Sequence, residues 1–367
     1  MSEPLHLKGV ILPETEPRDF WVADGCVVEG PIAAATTLSE QCWVLPGLVD
    51  AHDHIGLGAS PTGAVALSPE ETLRQALTDR DAGVLLIREN GTPAQTRWLD
   101  ERDDVPRIVH SGRHVARTRR YVRGMAVEVD PEEFPAELER QARAGTGWVK
   151  FVADWIERDA GDLTPCWPAW AVAEGIERCH ALGVRVTAHT FSEQAVAELV
   201  DAGIDCVEHG TGLTDEVIAK MAAQGTTLVP TITNLENFPH YAEQGGAKFP
   251  RYAAHMMDLY RRHIETLGKC HDAGIPIFCG TDAGTVVLHG KAPGEIVKLG
   301  KLGSHEFALG AGSWAARTWL GQPNLEVGAP ADFVVYESDP RVDLRAVEHP
   351  ACVVLRGVVV ASGGAAH

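Results

Sequence analysis

Short runs of apolar and β-branched residues recur along the chain, and most are followed by a segment with helical periodicity. Helices are favoured where Ser or Thr begins, and Gly ends, an amphipathic pattern, as in residues 68–83, 192–203 and 214–225. The apolar runs predict eight strands, at residues 43–52, 84–90, 107–112, 148–154, 184–189, 205–210, 227–233 and 275–282. A strand followed by a helix, repeated eight times, predicts an α/β fold of the (β/α)8 TIM-barrel type.

The alternative arrangement of such units is an open, doubly wound sheet. That fold usually has a glycine-rich phosphate-binding turn after its first strand, and this sequence has none there. The two ends differ from the middle, because residues 331–338 and 352–360 look like strands but have no helical partners. We therefore predict a small β-domain built from both termini and a barrel between them, with boundaries at residues 1–43 and 326–367 for the β-domain and 44–325 for the barrel.

The composition is that of a globular protein with a sizeable core, since 45% of the 367 residues are hydrophobic and 23% are charged. The formal net charge of −19 disfavours nucleic acid and anionic membranes as partners. No apolar run approaches the ~20 residues that a transmembrane helix needs, and the first residues do not resemble a secretory signal. The eight cysteines form no C-x-x-C pair, so we expect reduced thiols and a cytoplasmic location. The sequence leaves open whether the protein forms homo-oligomers.

Polar residues that can bind metal stand near the ends of the predicted strands. His52 and His54 end the first strand, and because alternate residues of a strand share a face, they point the same way while Asp53 points elsewhere. Catalytic groups of barrel enzymes lie at the carboxyl ends of the strands. The other polar residues at such positions are Lys150, His189, His209 and Asp282.

Four imidazoles and one carboxylate at a single barrel mouth would be a costly polar cluster without a cation. Neutral imidazole and carboxylate are ordinary zinc ligands, so the joint pattern predicts a metal site, although each residue alone has a simpler structural explanation. Lys150 alone would be read as a surface lysine. It lies between Val149 and Phe151 in a strand that looks buried, where an unpaired ammonium is costly.

The motifs LPGLVDAHDH, VTAHTFSEQAVAELVDAGIDCVEHG and FCGTDAG, with the single lysine of the fourth strand, resemble the amidohydrolase superfamily. They are most similar to its branch of imidazolonepropionase-related proteins and Xaa-Pro or Xaa-Arg dipeptidases, and the late segment GAPADFVVYESDPRVDLRAV supports this. The resemblance implies a metal-dependent hydrolase in which His52, His54 and Asp282 bind one metal, His189 and His209 bind a second, and Lys150 bridges both as N6-carboxylysine. It implies two zinc ions, with manganese or iron as alternatives.

The implied chemistry is cleavage of an amide carbon–nitrogen bond by a metal-activated hydroxide. Asp282 would be the catalytic residue that takes a proton from water and gives it to the departing amine. The expected substrate is a small molecule: a dipeptide, an N-acyl amino acid or a cyclic amide. Alternatives are a one-metal site of the imidazolonepropionase type, lactone, ester or phosphotriester hydrolysis at the same site, and a scaffold without activity. Lys150 disfavours the first alternative, and the complete ligand set disfavours the last.

A basic segment, RHVARTRRYVRG at residues 113–124, follows the third predicted strand. Its residues Arg117, Arg120 and Tyr121 are predicted to contact the substrate, because arginine can clamp a carboxylate through two hydrogen bonds. The alternative is that this segment, which also contains Arg119 and Arg123, only offsets the acidic background through surface ion pairs. The segments after the last two strands are predicted to contribute the substrate contacts Asn234, Tyr241 and His289.

Overall fold

The computed structural model describes residues 3–363. Within this range the strands are β1 (Leu5–Ile11), β2 (Pro17–Ala23), β3 (Cys26–Val28), β4 (Thr36–Pro46), β5 (Leu48–Asp53), β6 (Leu57–Ser60), β7 (Gly63–Ala66), β8 (Val84–Glu89), β9 (Arg107–His110), β10 (Val115–Arg117), β11 (Val127–Val129), β12 (Trp148–Val152), β13 (Asp154–Glu157), β14 (Asp162–Pro165), β15 (Arg185–Thr190), β16 (Cys206–His209), β17 (Thr227–Val229), β18 (Phe333–Tyr336), β19 (Cys352–Leu355) and β20 (Val358–Ser362). The helices are α1 (Pro69–Asp81), α2 (Phe134–Ala144), α3 (Ala169–Ala181), α4 (Glu193–Asp201), α5 (Asp215–Gln224), α6 (Ile232–Leu235), α7 (Phe238–Gly246), α8 (Pro250–Asp272), α9 (Ala292–Leu299), α10 (His305–Ala311) and α11 (Trp314–Trp319), with short 3-10 helices at Arg97–Glu101 and Leu344–Glu348.

Two parallel sheets form the middle of the chain, which gives the mixed α/β fold that the alternation predicted. One sheet has the order β11-β10-β12-β15-β16-β17, and the other has the order β5-β8-β9. The strands of both sheets pair in parallel, and helices connect most of them. Seven of the predicted strands are present as β5, β8, β9, β12, β15, β16 and β17.

The predicted eighth strand is not a regular strand in the structure. Its residues still join the two sheets, because the amide of Phe278 donates to the Leu228 carbonyl of β17 at 3.0 Å, and the Cys279 carbonyl accepts from Ala51 of β5 at 2.8 Å. On the other side, the His110 carbonyl at the end of β9 accepts from Thr146, two residues before β12, at 2.8 Å. The two sheets therefore meet on both sides.

A third sheet combines the two ends of the chain, in the order β20-β19-β18-β4-β1-β2-β3. Strand β18 pairs antiparallel with β4, so that Phe333 lies opposite Pro46. The apolar side chains of this sheet form their own core, in which the rings of Phe20 and Phe333 meet edge to face at 5.4 Å. The domain boundaries given above remain a prediction.

Two predicted strands end earlier or are divided in the structure. Residues 43–52 contribute to two strands, because β4 stays in the terminal sheet and β5 begins after Gly47, where a Cβ atom would lie 2.6 Å from Leu85 Cβ. The predicted strand at 227–233 stops at Val229, since Pro230 has no amide hydrogen and Thr231 has a φ of +49° before α6 begins.

The helix signals in the sequence are confirmed. Ser68 and Glu71 form a capping box at the start of α1, in which the Ser68 hydroxyl accepts from the Glu71 amide at 3.2 Å and the Glu71 carboxylate accepts from the Ser68 amide at 3.1 Å. Ser192 and Thr214 cap α4 and α5 in the same position. Among the helices of residues 3–363, none combines the length and the apolar character that a membrane span requires.

Helix α8 is fastened to the neighbouring elements by His255. The two ring nitrogens of His255 lie 2.9 Å from an Asp162 oxygen and 3.0 Å from a Glu193 oxygen, so both act as donors when the ring is charged. The hydrogen bond with Glu193, and then that with Asp162, raises the pKa of His255 from 6.5 to about 9 despite partial burial. The stabilisation is therefore complete below pH 6.5 and is lost as the pH rises through about 9.

We expect His255→Asn to lower the free energy of unfolding by ~1 kcal/mol at pH 6 and by much less at pH 10. Urea denaturation at the two pH values measures the difference. His240→Asn is the matched control, because His240 is exposed and its Nε2 contacts only the Gln244 amide nitrogen among described side chains. An equal loss at both pH values for His255→Asn would contradict the assigned ion pairs.

Candidate metal centre

The four histidines predicted as ligands lie at or just after the carboxyl ends of β5, β15 and β16, whereas Lys150 lies in the middle of β12 and Asp282 follows the irregular segment that replaces the eighth predicted strand. The four histidines and Lys150 are buried, and the Asp282 side chain is 20% exposed. His209 and Asp282 have φ angles of +66° and +63°, which are uncommon for residues with a Cβ atom and are found more often at functional sites. The structure brings all six together, at His52, His54, Lys150, His189, His209 and Asp282.

Asp282 links the two histidines of β5. Its Oδ1 lies 3.0 Å from His52 Nε2 and 3.1 Å from His54 Nε2, and those two nitrogens are 3.3 Å apart. Lys150 Nζ approaches the same group and lies 3.5 Å from His52 Nε2. These four side chains therefore converge on one point.

His189 and His209 form the neighbouring half of the cluster. His209 Nε2 lies 3.0 Å from His189 Nδ1, and the rings of His209 and His52 are 5.2 Å apart. One ligand atom from each of His52, His209 and Asp282 lies within 4.8 Å of the others. The two histidine pairs are thus adjacent parts of one site.

The hydrogen bonds around these rings fix which nitrogen faces the centre. His54 Nδ1 lies 2.7 Å from the Gly91 carbonyl, which can only accept, so Nδ1 carries the hydrogen, and the neutral form of the ring would direct an unprotonated Nε2 toward Asp282. Burial opposes the charged form of His54, but Asp282 raises the pKa of this ring above its usual value. Burial lowers the pKa of His52 to about 4 and that of His209 to about 3. Burial also lowers the pKa of His189. These three rings are neutral at pH 7, the form in which imidazole binds metal.

The donor set fits a divalent cation. Within residues 3–363, the buried atoms His52 Nδ1 and His189 Nε2 have no hydrogen-bond partner, and the ring nitrogens of the cluster face one another at 3.0 to 3.3 Å. Facing lone pairs beside a carboxylate are unfavourable in a buried site unless a cation attracts all of them. Imidazole nitrogen and carboxylate oxygen are ligands for zinc, manganese and iron.

Glu208 belongs to the site but was not predicted. It is fully buried and directly precedes His209 on β16. Its Oε1 accepts from Asn90 at 2.7 Å, from Thr187 at 2.8 Å and from Arg88 at 3.3 Å. Three donors, two from the end of β8 and one from β15, therefore hold this carboxylate in place.

The other oxygen of Glu208 faces the ligands. Oε2 forms an ion pair with Lys150 and lies 3.5 Å from His52 Nδ1. Burial opposes ionisation of Glu208, but electrostatic interaction with His52, Lys150 and Arg88 outweighs burial and holds the pKa of Glu208 well below its usual range. Glu208 is therefore a buried anion at the base of the cluster.

Three predicted substrate contacts lie beside the candidate ligands. The side-chain amide of Asn234 donates to Asp282 Oδ2 at 2.7 Å, and the Tyr241 hydroxyl donates to Asn234 Oδ1 at 2.8 Å. The ring of Tyr121 lies 5.4 Å from that of His189, edge to face. These three residues therefore border the cluster of candidate ligands.

The predicted arginines are engaged elsewhere. Arg117 donates to the Cys166 carbonyl at 2.9 Å, and Arg120 donates to the Trp155 carbonyl at 2.8 Å and to the Thr164 carbonyl at 2.9 Å. They thus fasten the β13–β14 hairpin to the segment after β10.

His289 also turns away from the ligand cluster. Its Nδ1 lies 2.7 Å from Asp79 and 3.3 Å from Asp53, a second group of side chains that could hold a metal. The two aspartates raise the pKa of His289 against the opposing effect of burial. The charged ring therefore neutralises part of a buried acidic pair between β5 and α1.

His114 was not singled out from the sequence, although it lies in the basic segment. It is buried, and neither ring nitrogen has a hydrogen-bond partner among the residues that the structure describes. Its ring is 5.8 Å from that of His54 and 5.5 Å from that of Tyr121. Burial lowers its pKa well below the usual range. An unpartnered imidazole beside the ligands can bind a substrate group.

The model of the "Amidohydrolase family" matches residues 43–360, which covers most of the chain and every residue of this cluster. The chain belongs to the amidohydrolase family. The family read from the sequence motifs is thereby confirmed, and the protein is a hydrolase that acts on carbon–nitrogen bonds. Amidohydrolases generally use divalent metal ions, in agreement with the ligand group found here.

Relatives of this amidohydrolase are found among mycobacterial proteins and among solved structures. Uncharacterised proteins of Mycobacterium bovis and Mycobacterium tuberculosis are 49% identical over 356 residues, covering 96% of this chain and 95% of each relative. A Xaa-Pro dipeptidase structure with bound methionine has a TM-score of 0.80 at 20% identity, covering 97% of this chain and 99% of that one. Ochratoxinase of A. niger has a TM-score of 0.78 at 17% identity, covering 99% and 96%. These two structures show a shared fold.

Proposed function

We propose that this amidohydrolase cleaves an amide carbon–nitrogen bond of a small molecule with the help of two divalent metal ions, zinc or alternatively manganese or iron. The observation that carries the proposal is that two adjacent pairs of buried imidazoles meet beside Asp282, with three of the four rings neutral at pH 7. His52, His54 and Asp282 would hold one ion, and His189 and His209 the other. Lys150 would bridge them as N6-carboxylysine.

The fold that supports this site is, in our proposal, a closed (β/α)8 barrel. The hydrogen bonds of Phe278, Cys279 and Thr146 support closure, because they join the two parallel sheets on both sides. The same proposal places the barrel at residues 44–325 and the small β-domain at residues 1–43 and 326–367. The sheet shared by both ends of the chain supports that division.

Metal ions bound here would lower the pKa of a water molecule and polarise the scissile carbonyl group. The chain's own contribution is proton transfer at Asp282. Its Oδ1 faces His52 and His54, while Oδ2 accepts from Asn234 and keeps a lone pair that can take a proton and pass it to the leaving nitrogen. Tyr241 holds the Asn234 amide in the orientation that this requires.

The carbonyl side of the substrate would be bound by His114. Its unpartnered imidazole lies beside His54, and the low pKa keeps it neutral, so one ring nitrogen carries a hydrogen that can be donated to a carbonyl oxygen. The names of the fold relatives, a Xaa-Pro dipeptidase and an ochratoxinase, are consistent with hydrolysis of a small molecule by this chain.

Protein purified without chelator is expected to contain close to two equivalents of zinc, manganese or iron per chain. Elemental analysis by mass spectrometry measures the metal content. His209→Asn should lower that content, because it removes one of the two imidazoles that would hold the second ion. His240→Asn, outside the cluster and exposed, should leave the content unchanged. Metal-free wild-type protein after such a purification would contradict the proposal.

A further inference from the structure

An arc of aromatic side chains, which we call the aromatic arc, surrounds His189. The rings of Tyr121 and Trp155 meet edge to face at 4.8 Å, and they lie 5.4 and 5.7 Å from the His189 ring. On the other side of His189, the ring of Phe191 lies 4.4 Å away. The arc continues through Phe238, 4.8 Å from Phe191, to Tyr241.

The two ends of the arc reach solvent and its middle does not. Phe191 and Phe238 are buried, whereas Tyr121, Trp155 and Tyr241 are partly exposed. Because the Tyr241 hydroxyl reaches Asp282 through Asn234, the arc runs from one metal ligand to another. A molecule bound at the ligands therefore meets aromatic rings next to the bond that reacts.

The basic segment beside the arc offers few cations to a bound anion. Its three partly buried arginines donate to main-chain carbonyls: Arg113 to Gly124 at 3.0 Å, Arg117 to Cys166 at 2.9 Å and Arg120 to Thr164 at 2.9 Å. Arg119 and Arg123 are exposed, where water and salt screen their charge. The net charge of −19 also disfavours the approach of an anionic substrate.

From these two observations we propose that the substrate is an uncharged amide with an aromatic ring within two bonds of the scissile carbonyl carbon or nitrogen. This inference rests on the proposed function, since it names the substrate class of the same site. In the reaction, water adds its oxygen to the carbonyl carbon, the carbon–nitrogen bond breaks, and a proton goes to the nitrogen. The products are a carboxylic acid and an amine, and no oxidant or reductant is needed.

The expected preference follows from the strength of aromatic pairing. Edge-to-face or offset contact with one ring is worth ~2–10-fold in affinity beyond the area that any apolar group buries. Tyr121 and Trp155 can both contact a bound ring, so a phenyl substrate should exceed its cyclohexyl analogue by ~10-fold in kcat/KM.

The test uses pairs of amides whose scissile bonds have the same intrinsic reactivity. Phenylacetamide is compared with cyclohexylacetamide for a ring on the acyl side, and N-benzylacetamide with N-(cyclohexylmethyl)acetamide for a ring on the amine side. N-(phenylacetyl)glycinamide is compared with N-(phenylacetyl)glycine to isolate the effect of a carboxylate. Zinc-loaded wild-type protein should prefer the phenyl member on at least one side, and the glycinamide over the glycine.

Variants of two tryptophans test whether the preference for phenyl over cyclohexyl substrates comes from the aromatic arc. Trp155→Leu should bring the phenyl-to-cyclohexyl ratio of kcat/KM towards one, while Trp155→Phe should keep most of it. Trp170→Leu is the matched control, because Trp170 lies on α3, is 51% exposed and is outside the arc. A shift of the ratio in Trp170→Leu equal to that in Trp155→Leu would overturn the assignment.

Calorimetric titration of the wild-type protein with the same pairs separates the two proposals. Hydrolysis with equal kcat/KM for the phenyl and cyclohexyl members overturns the substrate class and leaves the hydrolase proposal intact. Faster hydrolysis of N-(phenylacetyl)glycine than of N-(phenylacetyl)glycinamide has the same consequence. Tighter binding of the phenyl member with no hydrolysis of any amide supports the substrate class and overturns the proposed function.

Discussion

Asp282→Asn is expected to lower kcat/KM of the metal-loaded enzyme by ~10²–10⁴-fold, the usual contribution of a general acid–base group. Asparagine keeps the size of the side chain but cannot take a proton from water or deliver one to the leaving nitrogen. An uncharged amide is also a weaker partner for a cation than the carboxylate that lies 3.0 Å from His52 and 3.1 Å from His54. Both effects act in the same direction.

Kinetics and metal content measured on the same preparation separate those effects. If occupancy remains near that of the wild type and the rate still falls, proton transfer is the function that was lost. Asp215→Asn is the control, because that side chain is 80% exposed and pairs with Lys269 on the surface. Activity of Asp282→Asn within 10-fold of the wild type, at full metal content, would exclude Asp282 as the general base.

Lys150→Met is expected to lower activity by more than the ~10–100-fold typical of losing a residue that only orients a ligand, and to lower occupancy of the second metal with it. Methionine retains an apolar chain of similar length but cannot react with carbon dioxide to form a bridging anion. In wild-type protein freed of metal, added bicarbonate should therefore speed the recovery of activity with zinc, and it should not help the variant.

The competing hypothesis is that Lys150 acts only as the cation that pairs with Glu208. Under it, Lys150→Met would leave a buried carboxylate without its ammonium, so stability would fall by ~3–5 kcal/mol while metal content stayed unchanged. Urea denaturation together with elemental analysis distinguishes the two hypotheses. Lys298→Met, which removes a surface pair with Glu236, serves as the control for loss of a lysine.

The ligand cluster could be predicted from the sequence because a simple rule of parallel sheets places it. Residues that follow different parallel strands meet at the carboxyl end, however distant they are along the chain. His52 and Asp282 are thus 3.0 Å apart although a large part of the sequence separates them. Helix boundaries were equally accessible, since Ser68, Ser192 and Thr214 cap their helices through local contacts.

Glu208 could not be predicted by the same reasoning. Neighbouring residues of a regular strand point to opposite faces, so a strand that directs His209 toward the cluster would direct Glu208 away from it. His209 has a φ of +66°, which interrupts the alternation at the end of β16 and lets both side chains face the cluster. A left-handed residue other than glycine leaves no clear signal in a single sequence.

The hydrogen-bond partners of the arginines could not be predicted from the sequence, for a different reason. Arg117 and Arg120 donate to main-chain carbonyl groups in and beside the β13–β14 hairpin. Because every residue has a carbonyl group, the sequence does not indicate which one an arginine will contact. His289 was likewise assigned by its position after the last strand, whereas its partner Asp79 lies on α1, and only the packed fold shows their contact.

The pairing of β4 with β18 leaves β4 without one of its neighbouring strands for part of the time that the ribosome needs to make the chain. Pro46 finds its partner Phe333 about 290 residues later, which at ribosomal rates of 5–20 residues per second is a delay of roughly 15–60 s. During that time the edge of β4 is open, and an open strand edge invites association with other chains. We therefore expect chaperones that hold nascent chains to affect the yield of this protein more than substitutions at its surface do.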